Sequence, residues 1–440
     1  MQQHTRHTAH QHRIVVLGAG YTGASAAGRL AARLHREDVS ITLVNAEPDF
    51  VERVRMHQLA VGRALRPRPL GEMFAGTGVE LRLGRVTAID VDARTVTVAT
   101  GPASGPATGP ATGAGAVTGP ASGPATGAGA VTGAPREADG SETVPYDTLV
   151  YALGSAWNTH AVPGVAEHAH DIANRPGALR LRDRLAALAP GSPVTVVGGG
   201  LTGVEGATEL AEARPDLDVS LIARGPLGDW LSPKGARHLR KVFAGLRITV
   251  HENTEVTAVH ADRVSTTGGA VPAAATLWTT GFAVHPIARA TALETAEDGQ
   301  ITVDATMRST SHPDVYAIGD AARAAGPGGT PLRMSCASGI PTAWQAADAI
   351  AARLTGAKLP TLVPRYFNQC VSLGRKEGLI QYVTADDRSV NATLTGRPAA
   401  LYKETVCKGA AWSVAHPTLN LPTRRRRVTA APARTTATTA

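Results

Sequence analysis

Two glycine-rich stretches are the parts of this sequence whose residue types and spacing point most directly to chemistry. The stretch "VLGAGYTGAS" at 16–25 and the stretch "VVGGGLTGVE" at 196–205 each contain the pattern Gly-x-Gly-x-x-Gly. In such a turn the first glycine makes the tight bend, the second lets a pyrophosphate approach the backbone, and the third lets helix and strand pack closely. Two copies in one chain predict two bound dinucleotides.

The candidate cofactor-binding residues of both copies follow from this pattern. The helix that starts inside each copy directs its N-terminus, with a partial positive charge, at the phosphates. The candidates are Gly18, Ala19, Gly20, Tyr21, Thr22 and Gly23 in the first copy, and Gly198, Gly200, Leu201, Thr202 and Gly203 in the second.

The elements around these loops alternate between strand-like and helix-like patterns. "RIVVL" at 13–17 and "SPVTVVGGG" at 192–200 lead into the loops as buried strands, and Ala- and Leu-rich stretches able to form helices follow both. The next strands are "VSITLV" at 39–44 and "DVSLIAR" at 218–224. This alternation predicts an α/β fold with two parallel, Rossmann-like sheets.

Two dinucleotides in one protein imply electron transfer between them. The usual pair is FAD with NADH or NADPH, and the first transfer needs positioning and a polar environment rather than a strong acid or base. We therefore predict FAD and NAD(P)H as cofactors.

Further motifs connect the chain to a known family. "VYAIGD" contains Gly319 and Asp320, "LVYALGS" at 149–155 contains Gly154, and "LWTTGF" at 277–282 contains Gly281. With these units the chain resembles the flavoproteins with two dinucleotide-binding domains, the pyridine nucleotide-disulfide oxidoreductases. The resemblance implies that these four residues bind cofactor, and that the Gly-Asp unit closes over the FAD ribitol.

Within that family the sequence is most similar to the type II NADH dehydrogenases. It reads "DFVERVRMHQLAVG" at 49–62, without the Cys-x4-Cys pair of the disulfide reductases, and its "HQLAVG" and "GGGLTGVE" resemble type II motifs. The resemblance implies a catalytic role for Glu205 beside the nicotinamide and flavin. It also makes Arg55 a candidate to face the flavin.

The sequence departs from the family pattern at three places. Where an acid holds the FAD ribose, the chain has Asn45, with Glu47 two residues further on, and either can serve. The second domain has Arg224 near the corresponding place, which favours NADPH over NADH but leaves both open. The glutamine stretch of the quinone site corresponds here to "AWQAAD" at 343–348, which weakens a quinone assignment.

Composition bounds the remaining function classes. The net charge of +8 comes largely from the first twelve residues and from the arginines after Thr423, so no basic face for nucleic acid is indicated. The three cysteines are far apart in sequence and suggest neither a metal site nor a disulfide. Without a signal peptide or an apolar span, we expect a cytoplasmic protein with at most peripheral contact to the inner face of the membrane. The sequence leaves open whether the protein forms a homodimer.

We divide the chain into six segments. They are a disordered N-terminus at 1–12, a first FAD segment at 13–165 with a Gly/Pro/Ala/Ser/Thr-rich insert at 100–142, a nicotinamide domain at 166–284, a second FAD segment at 285–355, a small β-rich module at 356–422, and a basic disordered tail at 423–440. No amphipathic helix is evident at 401–419.

These observations predict an FAD-dependent NAD(P)H oxidoreductase that passes electrons to an unidentified small-molecule acceptor. One alternative is a type II NADH:quinone oxidoreductase held at the membrane surface by its basic tail. Another is a flavin-based redox sensor with little turnover.

Overall fold

The structure, a computed structural model, describes residues 11–100, 140–159, 162–361, 363–416 and 424–429. The predicted disordered segments 1–12 and 100–142 lie outside these ranges except at their edges. There the prediction is wrong, because His12 begins one strand and Ser141 begins another.

The first FAD segment contains mostly strands. They are β1 (His12–Leu17), β2 (Val39–Asn45), β3 (Val79–Leu83), β4 (Arg85–Asp90), β5 (Thr95–Ala99), β6 (Ser141–Pro145), β7 (Thr148–Tyr151) and β8 (Ser155–Trp157), with helices α1 (Tyr21–Arg33), α2 (Met56–Ala60) and α3 (Leu70–Phe74).

The central part of the chain alternates between helices and strands. Its elements are α4 (Val165–His168), β9 (Ala169–His170), α5 (Arg175–Ala186), β10 (Pro193–Val197), α6 (Leu201–Ala213), β11 (Asp218–Ile222), α7 (Pro233–Gly245), β12 (Thr249–His251), β13 (Val256–Val259), β14 (Arg263–Thr266), β15 (Gly269–Pro272), β16 (Ala275–Trp278) and β17 (Phe282–Val284).

The last part returns to the first sheet and then adds a small module. Its elements are β18 (Ile301–Thr302), β19 (Val315–Ala317), β20 (Ala322–Arg323), α8 (Cys336–Thr355), β21 (Asn368–Ser372), β22 (Gly378–Val383), β23 (Ser389–Thr395) and α9 (Arg397–Ala415).

Two parallel sheets of the same design form the centre of the molecule. One has the order β19-β7-β1-β2-β3, and the other has the order β9-β16-β10-β11-β12. Each half also carries an antiparallel sheet, β4-β5-β6 in the first and β13-β14-β15 in the second. The predicted α/β class with two Rossmann-like sheets is confirmed. We call the two parts the FAD half and the nicotinamide half, after the cofactors that the sequence predicts for them.

Apolar runs and small residues explain why these layers form. Strand β1 is buried along Ile14–Leu17, as expected for a parallel strand covered on both faces. Helix α1 packs against α8, and the contact is lined on the α8 side by Ala343, Ala346 and Ala347, which are fully buried. Their small side chains let the two helices approach closely, which brings both helix N-termini to the same edge of the sheet.

Two features join the halves. The linkers that cross between them pair as an antiparallel ribbon, with β8 beside β17. Helix α2 belongs to the first FAD segment, yet Met56 and Ala60 are buried in the core of the nicotinamide half. The two halves therefore share packed surface beside the glycine loops.

The predicted β-rich C-terminal module is half helical. Its antiparallel sheet β21-β22-β23 is covered by the long helix α9, whose inner face contains Ala399, Cys407, Ala411 and Val414. We expected no amphipathic helix here; the segment is a helix, and its buried face consists mostly of small side chains. The larger apolar side chains of α9 point outward, so the sequence lacks the usual contrast between a large apolar face and a charged one.

The described part of the predicted disordered tail is docked on the FAD half. The backbone N–H of Arg426 donates to Arg33 at 2.8 Å, and that of Thr429 donates to Leu354 at 2.9 Å. Arg427 forms ion pairs with Glu37 and Asp38. The prediction of a disordered tail is wrong for 424–429, because carbonyl groups and acids near the end of α1 satisfy this segment.

Candidate functional site

The first glycine loop connects β1 to α1. Gly18 has a φ of +91°, and a Cβ there would lie 2.6 Å from the carbonyl oxygen of Ala152. A Cβ on Gly23 would clash with the carbonyl of Gly18. Contacts within the protein therefore require the first and third glycines.

The second loop, between β10 and α6, repeats this geometry. Gly198 has a φ of +125°, and a Cβ there would lie 2.5 Å from the Thr279 hydroxyl. A Cβ on Gly203 would clash with the carbonyl of Gly198. The two loops are the same structural device in two sheets.

The middle glycine of each loop has a different role. At Gly20 and at Gly200, no heavy atom of the protein lies within 4 Å of the position that a Cβ would take. Packing does not explain these two glycines, whereas the approach of a ligand does. Each is also the N-cap of its helix, without a side chain that caps the helix, so the first backbone N–H groups of α1 and α6 can receive a phosphate.

The residues after β2 settle how the first loop is supported. The side-chain oxygen of Asn45 accepts a hydrogen bond from the Ala19 N–H at 2.9 Å, and its amide donates to the Glu47 carbonyl at 2.7 Å. Asn45 thus braces the loop. In the described part of the chain, the Glu47 carboxylate has no hydrogen bond or ion pair, and it stays available for a ribose.

The residues after β11 are of another kind. Ala223 is buried, and a Cβ on Gly199 would lie 2.8 Å from its methyl group. Arg224 follows it and is exposed, with no hydrogen bond or ion pair to any described residue. The nicotinamide half thus presents a cation where the FAD half presents an amide and an acid.

The Gly-Asp unit lies beside the first loop. A Cβ on Gly319 would lie 2.7 Å from the Thr22 side chain, and the Gly319 N–H donates to the Thr342 hydroxyl at 3.2 Å. The structure therefore brings the N-termini of α1 and α8 together around Gly319 and Asp320, as a pocket for one extended cofactor requires.

Asp320 is surrounded by partners that the sequence did not suggest. The Ser155 hydroxyl donates to Asp320 at 2.6 Å, and the Arg53 guanidinium lies 3.4 Å from the same oxygen. Burial lowers the pKa of Arg53, and Asp320 opposes that effect. Gly154 precedes Ser155 with a φ of +69°, and the ring of Phe282, next to Gly281, lies 5.2 Å from the Arg53 guanidinium. Gly154 thus adjoins the Asp320 network, and the residue after Gly281 reaches it through its ring.

The structure places Arg55 in a different network. Its guanidinium bonds to Glu404 through two hydrogen bonds of 3.0 Å and to Glu52 through a third of 3.0 Å. The charge of Arg55 therefore ties the α2 region to α9. Among the described residues, Arg53 rather than Arg55 contacts the Gly-Asp unit.

Glu205 lies on the first turns of α6 and is buried. Its Oε1 accepts hydrogen bonds from Lys403 Nζ at 2.8 Å and from the Ser372 N–H at 2.9 Å. Burial alone would lower the pKa of Lys403, but the Glu205 carboxylate raises it well above its usual value. The contact between Lys403 and Glu205 connects the second glycine loop to the C-terminal module. No described residue bonds to the other oxygen of Glu205.

His57, on α2, lies close to this ion pair. Its Nε2 is buried and has no hydrogen-bond partner among the described residues. Burial lowers the pKa of His57 to about 4, because the opposing effect of Glu205 is smaller. The imidazole is therefore neutral at pH 7.

A cavity of about 220 Å³ opens on the other side of Lys403. Its wall includes Arg375, Lys376 and Arg397 from the C-terminal module, with Gln58 and Cys407. The helix that we matched to the glutamine stretch of the quinone site is directed elsewhere, because Asp348 forms ion pairs with Arg29 and Arg33 on α1. The polar groups at this cavity come from α2, α9 and the β21–β22 turn.

These observations define a class of protein: a flavoprotein with two dinucleotide-binding halves that share one junction. The sequence profile of the pyridine nucleotide-disulphide oxidoreductase family matches residues 12–351, and the chain belongs to this family. It is an FAD-dependent oxidoreductase that uses NADH or NADPH.

Curated relatives are similar over most of their length. The NADH dehydrogenase-like protein YutJ of Bacillus subtilis is 24% identical, with 83% of this chain and 91% of that protein covered. The demethylphylloquinone reductase NdbB of Synechocystis is 25% identical, with 70% and 72% covered.

Solved structures show the same fold. The sulfide:quinone oxidoreductase of Aquifex aeolicus matches with a TM-score of 0.72 at 20% identity, and covers 93% of each chain. The NDH2 of Plasmodium falciparum in complex with NADH matches with a TM-score of 0.70 at 13% identity, and covers 94% of this chain and 99% of that one.

Sequence reasoning missed Arg53, Ser155 and Lys403 as residues of the site. Arg53 had a local signal, since it lies in the same "VERVRMHQ" stretch as Arg55. Lys403 had none, because it reaches Glu205 across 198 positions of the chain.

Proposed function

We propose that the protein transfers a hydride from NAD(P)H, held on the second glycine loop, to FAD, held on the first, and passes the electrons to a quinone. The observation that carries the first step is the pair of open cradles at Gly20 and Gly200, which lie on two halves joined by α2 and the β8–β17 ribbon. FAD, when bound, accepts the hydride and releases the electrons again. The residues of the chain supply binding, orientation and charge.

The FAD would extend from the first loop to the Gly-Asp unit. The N-terminus of α1 would hold its pyrophosphate, and Glu47 would accept hydrogen bonds from its adenosine ribose. Asp320, held by Arg53 and Ser155, would accept a hydrogen bond at the ribitol end. Gly154 and Gly281 would line the pocket without side chains. NAD(P)H would approach along Gly200, Leu201 and Thr202.

Glu205 would serve the nicotinamide, and Lys403 would serve the acceptor. The free oxygen of Glu205 can orient the nicotinamide, while Lys403 presents a positive charge to the cavity on its other side. A quinone gains negative charge when it is reduced, and a fixed cation at the cavity wall stabilises that charge. The demethylphylloquinone reductase relative makes a quinone the acceptor class to test first.

The outer face of α9 supports contact with a membrane, from which a quinone could enter. Leu401 is 63% exposed and Trp412 is 56% exposed, with Tyr402 and Val406 on the same face. Phe367, at the adjacent sheet, is 74% exposed. We call these five residues the C-terminal apolar patch. Lys408 and Arg397 flank it and would attract anionic lipid. No described helix is long and apolar enough to cross a bilayer.

The first test is an anaerobic titration of the purified protein with NADH and with NADPH. We expect the absorbance of bound flavin to bleach near stoichiometric addition of at least one nucleotide. A colourless protein, or a flavin that neither nucleotide reduces, would contradict the reductase proposal.

The acceptor is tested with a soluble short-chain quinone and with ferricyanide. We expect Lys403→Met to slow quinone reduction by about tenfold or more, the value of one charge-assisted hydrogen bond, while reduction of ferricyanide is retained. Lys408→Met, on the same helix but exposed, is the matched control. Equal loss with both acceptors, or no loss at all, would argue against the cavity.

The membrane contact is tested by flotation with anionic and with neutral vesicles. We expect the protein to float with the anionic vesicles, and a Leu401→Ser/Trp412→Ser variant to lose that association while it keeps its flavin. If the wild type stays in the bottom fraction with both vesicles, membrane contact is excluded and the acceptor reaches the cavity from solution.

A further inference from the structure

Equivalent hydrogen bonds in the two glycine loops show which residues of the two halves correspond. The Gly18 N–H donates to the Val44 carbonyl at 2.8 Å, and the Gly198 N–H donates to the Ile222 carbonyl at 2.9 Å. Val44 and Ile222 are therefore structurally equivalent. The next residues, Asn45 and Ala223, occupy the position from which an acid binds the adenosine ribose in proteins of this type.

At this position the nicotinamide half has no group that could bind a free ribose. Ala223 directly follows β11 and has a buried methyl group, whereas the side chain of Asn45 accepts a hydrogen bond from its loop. Two residues further on, Glu47 in the FAD half corresponds to Gly225. The carboxylate that would select the 2′-hydroxyl of NADH is thus missing from both places where the FAD half carries a polar side chain.

A free cation is present instead. Arg224 directly follows Ala223, is exposed, and has no hydrogen bond or ion pair to a described residue. The nearby acid Glu252 is taken by Arg240 and by the Leu227 N–H. Asp229 comes close to Gly225, where a Cβ would lie 2.9 Å from its oxygen, but it forms no ion pair with Arg224. The Arg224 guanidinium is therefore available for a ligand.

We infer that Arg224 makes the second loop selective for NADPH over NADH by binding the 2′-phosphate. A guanidinium offers parallel donors that match phosphate oxygens, and it keeps its charge at all physiological pH values. Ala223 contributes by removing the carboxylate that would repel this phosphate. The inference rests on the proposed function only in that the second loop holds the nicotinamide dinucleotide.

Binding of nucleotide fragments to the FAD-loaded protein tests the inference without any hydride transfer. Adenosine 2′,5′-bisphosphate and 5′-AMP differ only in the 2′-phosphate, so the ratio of their dissociation constants measures recognition of that group. We expect the bisphosphate to bind roughly ten- to a hundredfold more tightly, the range of one or two charge-assisted contacts.

Two variants and a control assign this difference to the residues. Arg224→Gln should bring the bisphosphate to the affinity of 5′-AMP and leave 5′-AMP unchanged. Ala223→Asp should reverse the preference. Arg237→Gln, which removes another exposed arginine of the same half, should change neither ligand. The flavin absorbance of every variant checks that the FAD half is intact.

The anaerobic titration separates this inference from the proposal beneath it. Bleaching at lower concentration by NADPH than by NADH supports both. Bleaching by both nucleotides alike, with equal binding of the two fragments, would overturn the assignment of Arg224 and leave the reductase standing. Absence of bleaching by either, with no fragment bound, would overturn both.

Discussion

The FAD half and the nicotinamide half share a sheet order, a glycine loop and an antiparallel insert, yet the residues around each loop differ. Two positions after the third glycine, Ser25 is buried in α1, and Glu205 is buried at the equivalent position of α6. Helix α1 packs on the small residues of α8, whereas α6 meets Lys403 through a charged pair. The backbone provides two loops of the same geometry, and the side chains around them differ, with small residues beside the first and an ion pair beside the second.

Substitutions of the two middle glycines should have the largest effect, and they test whether the two loops bind different cofactors. Because a side chain at Gly20 or Gly200 meets no protein atom, valine there should leave the fold intact and exclude the pyrophosphate. We expect Gly20→Val to yield protein without bound flavin. We expect Gly200→Val to stay yellow and to lose reduction by NAD(P)H by at least about a hundredfold, the effect of a badly misplaced substrate.

The third glycines provide the contrast for this pair. Gly23→Val and Gly203→Val must displace loop carbonyls, so they should lower the melting temperature, which the middle-glycine variants should leave nearly unchanged. Flavin absorbance, circular dichroism and the melting temperature measure all four variants. If Gly20→Val retained flavin, the first loop would not hold a pyrophosphate.

We next expect the stability of the protein to depend on pH through His57, which lies at the junction of the halves. Its pKa is lowered to about 4 by burial, against 6.5 for the free side chain. The unfolded chain binds a proton there below about pH 6.5, but the folded protein does not until about pH 4. The free energy of unfolding therefore decreases as the pH is lowered from about 6.5 to about 4. This group contributes up to about 3 kcal/mol to that decrease.

Urea unfolding at pH 7 and at pH 5, with flavin bound, measures this dependence. We expect His57→Gln to have a flatter profile between these values than the wild type. His168→Gln, which changes an exposed histidine, should keep the wild-type slope. Parallel profiles for wild type and His57→Gln would mean that the imidazole is protonated in the folded protein or reaches solvent.

The smallest effect is expected from a substitution at the ribose position of the FAD half. Glu47→Gln should weaken FAD binding by about tenfold, because a charged acceptor is replaced by a neutral one, and it should leave nucleotide binding at the second loop unchanged. Glu72→Gln, at an exposed glutamate of α3, is the control. The dissociation constant of FAD is measured by reconstitution of the apoprotein of each variant. An unchanged constant for Glu47→Gln would leave Asn45 as the ribose ligand.

The elements that local patterns encode could be predicted from the sequence. Glycines at fixed offsets predict each loop, and short runs of Val, Ile and Leu predict the strands before the loops. The backbone at Gly18 and Gly198 confirms why those glycines are there. The parallel sheets follow from the same alternation of elements.

The rest depended on contacts between distant parts of the chain. Lys403 has an ordinary surface context in sequence, and only the packing of α9 on β21 brings it to Glu205. The tail at 424–429 reads as a solvated run of arginines, and its acids lie some 390 positions earlier. Arg53 and Arg55 have the same local pattern, and the choice between them is made by Asp320 and Glu404, which no local pattern links to them.

The position of β19 has a consequence for how the protein is made. The sheet of the nicotinamide half is contained within residues 169–278, whereas the sheet of the FAD half needs β19, at Val315–Ala317, to cover the edge of β7. During synthesis, therefore, the sheet of the nicotinamide half emerges from the ribosome complete while the sheet of the FAD half still has an open edge, and α8 has yet to follow. The sheet that starts nearer the N-terminus is therefore the later one to close, and the flavin site proposed between α1 and α8 cannot form before α8 has been made.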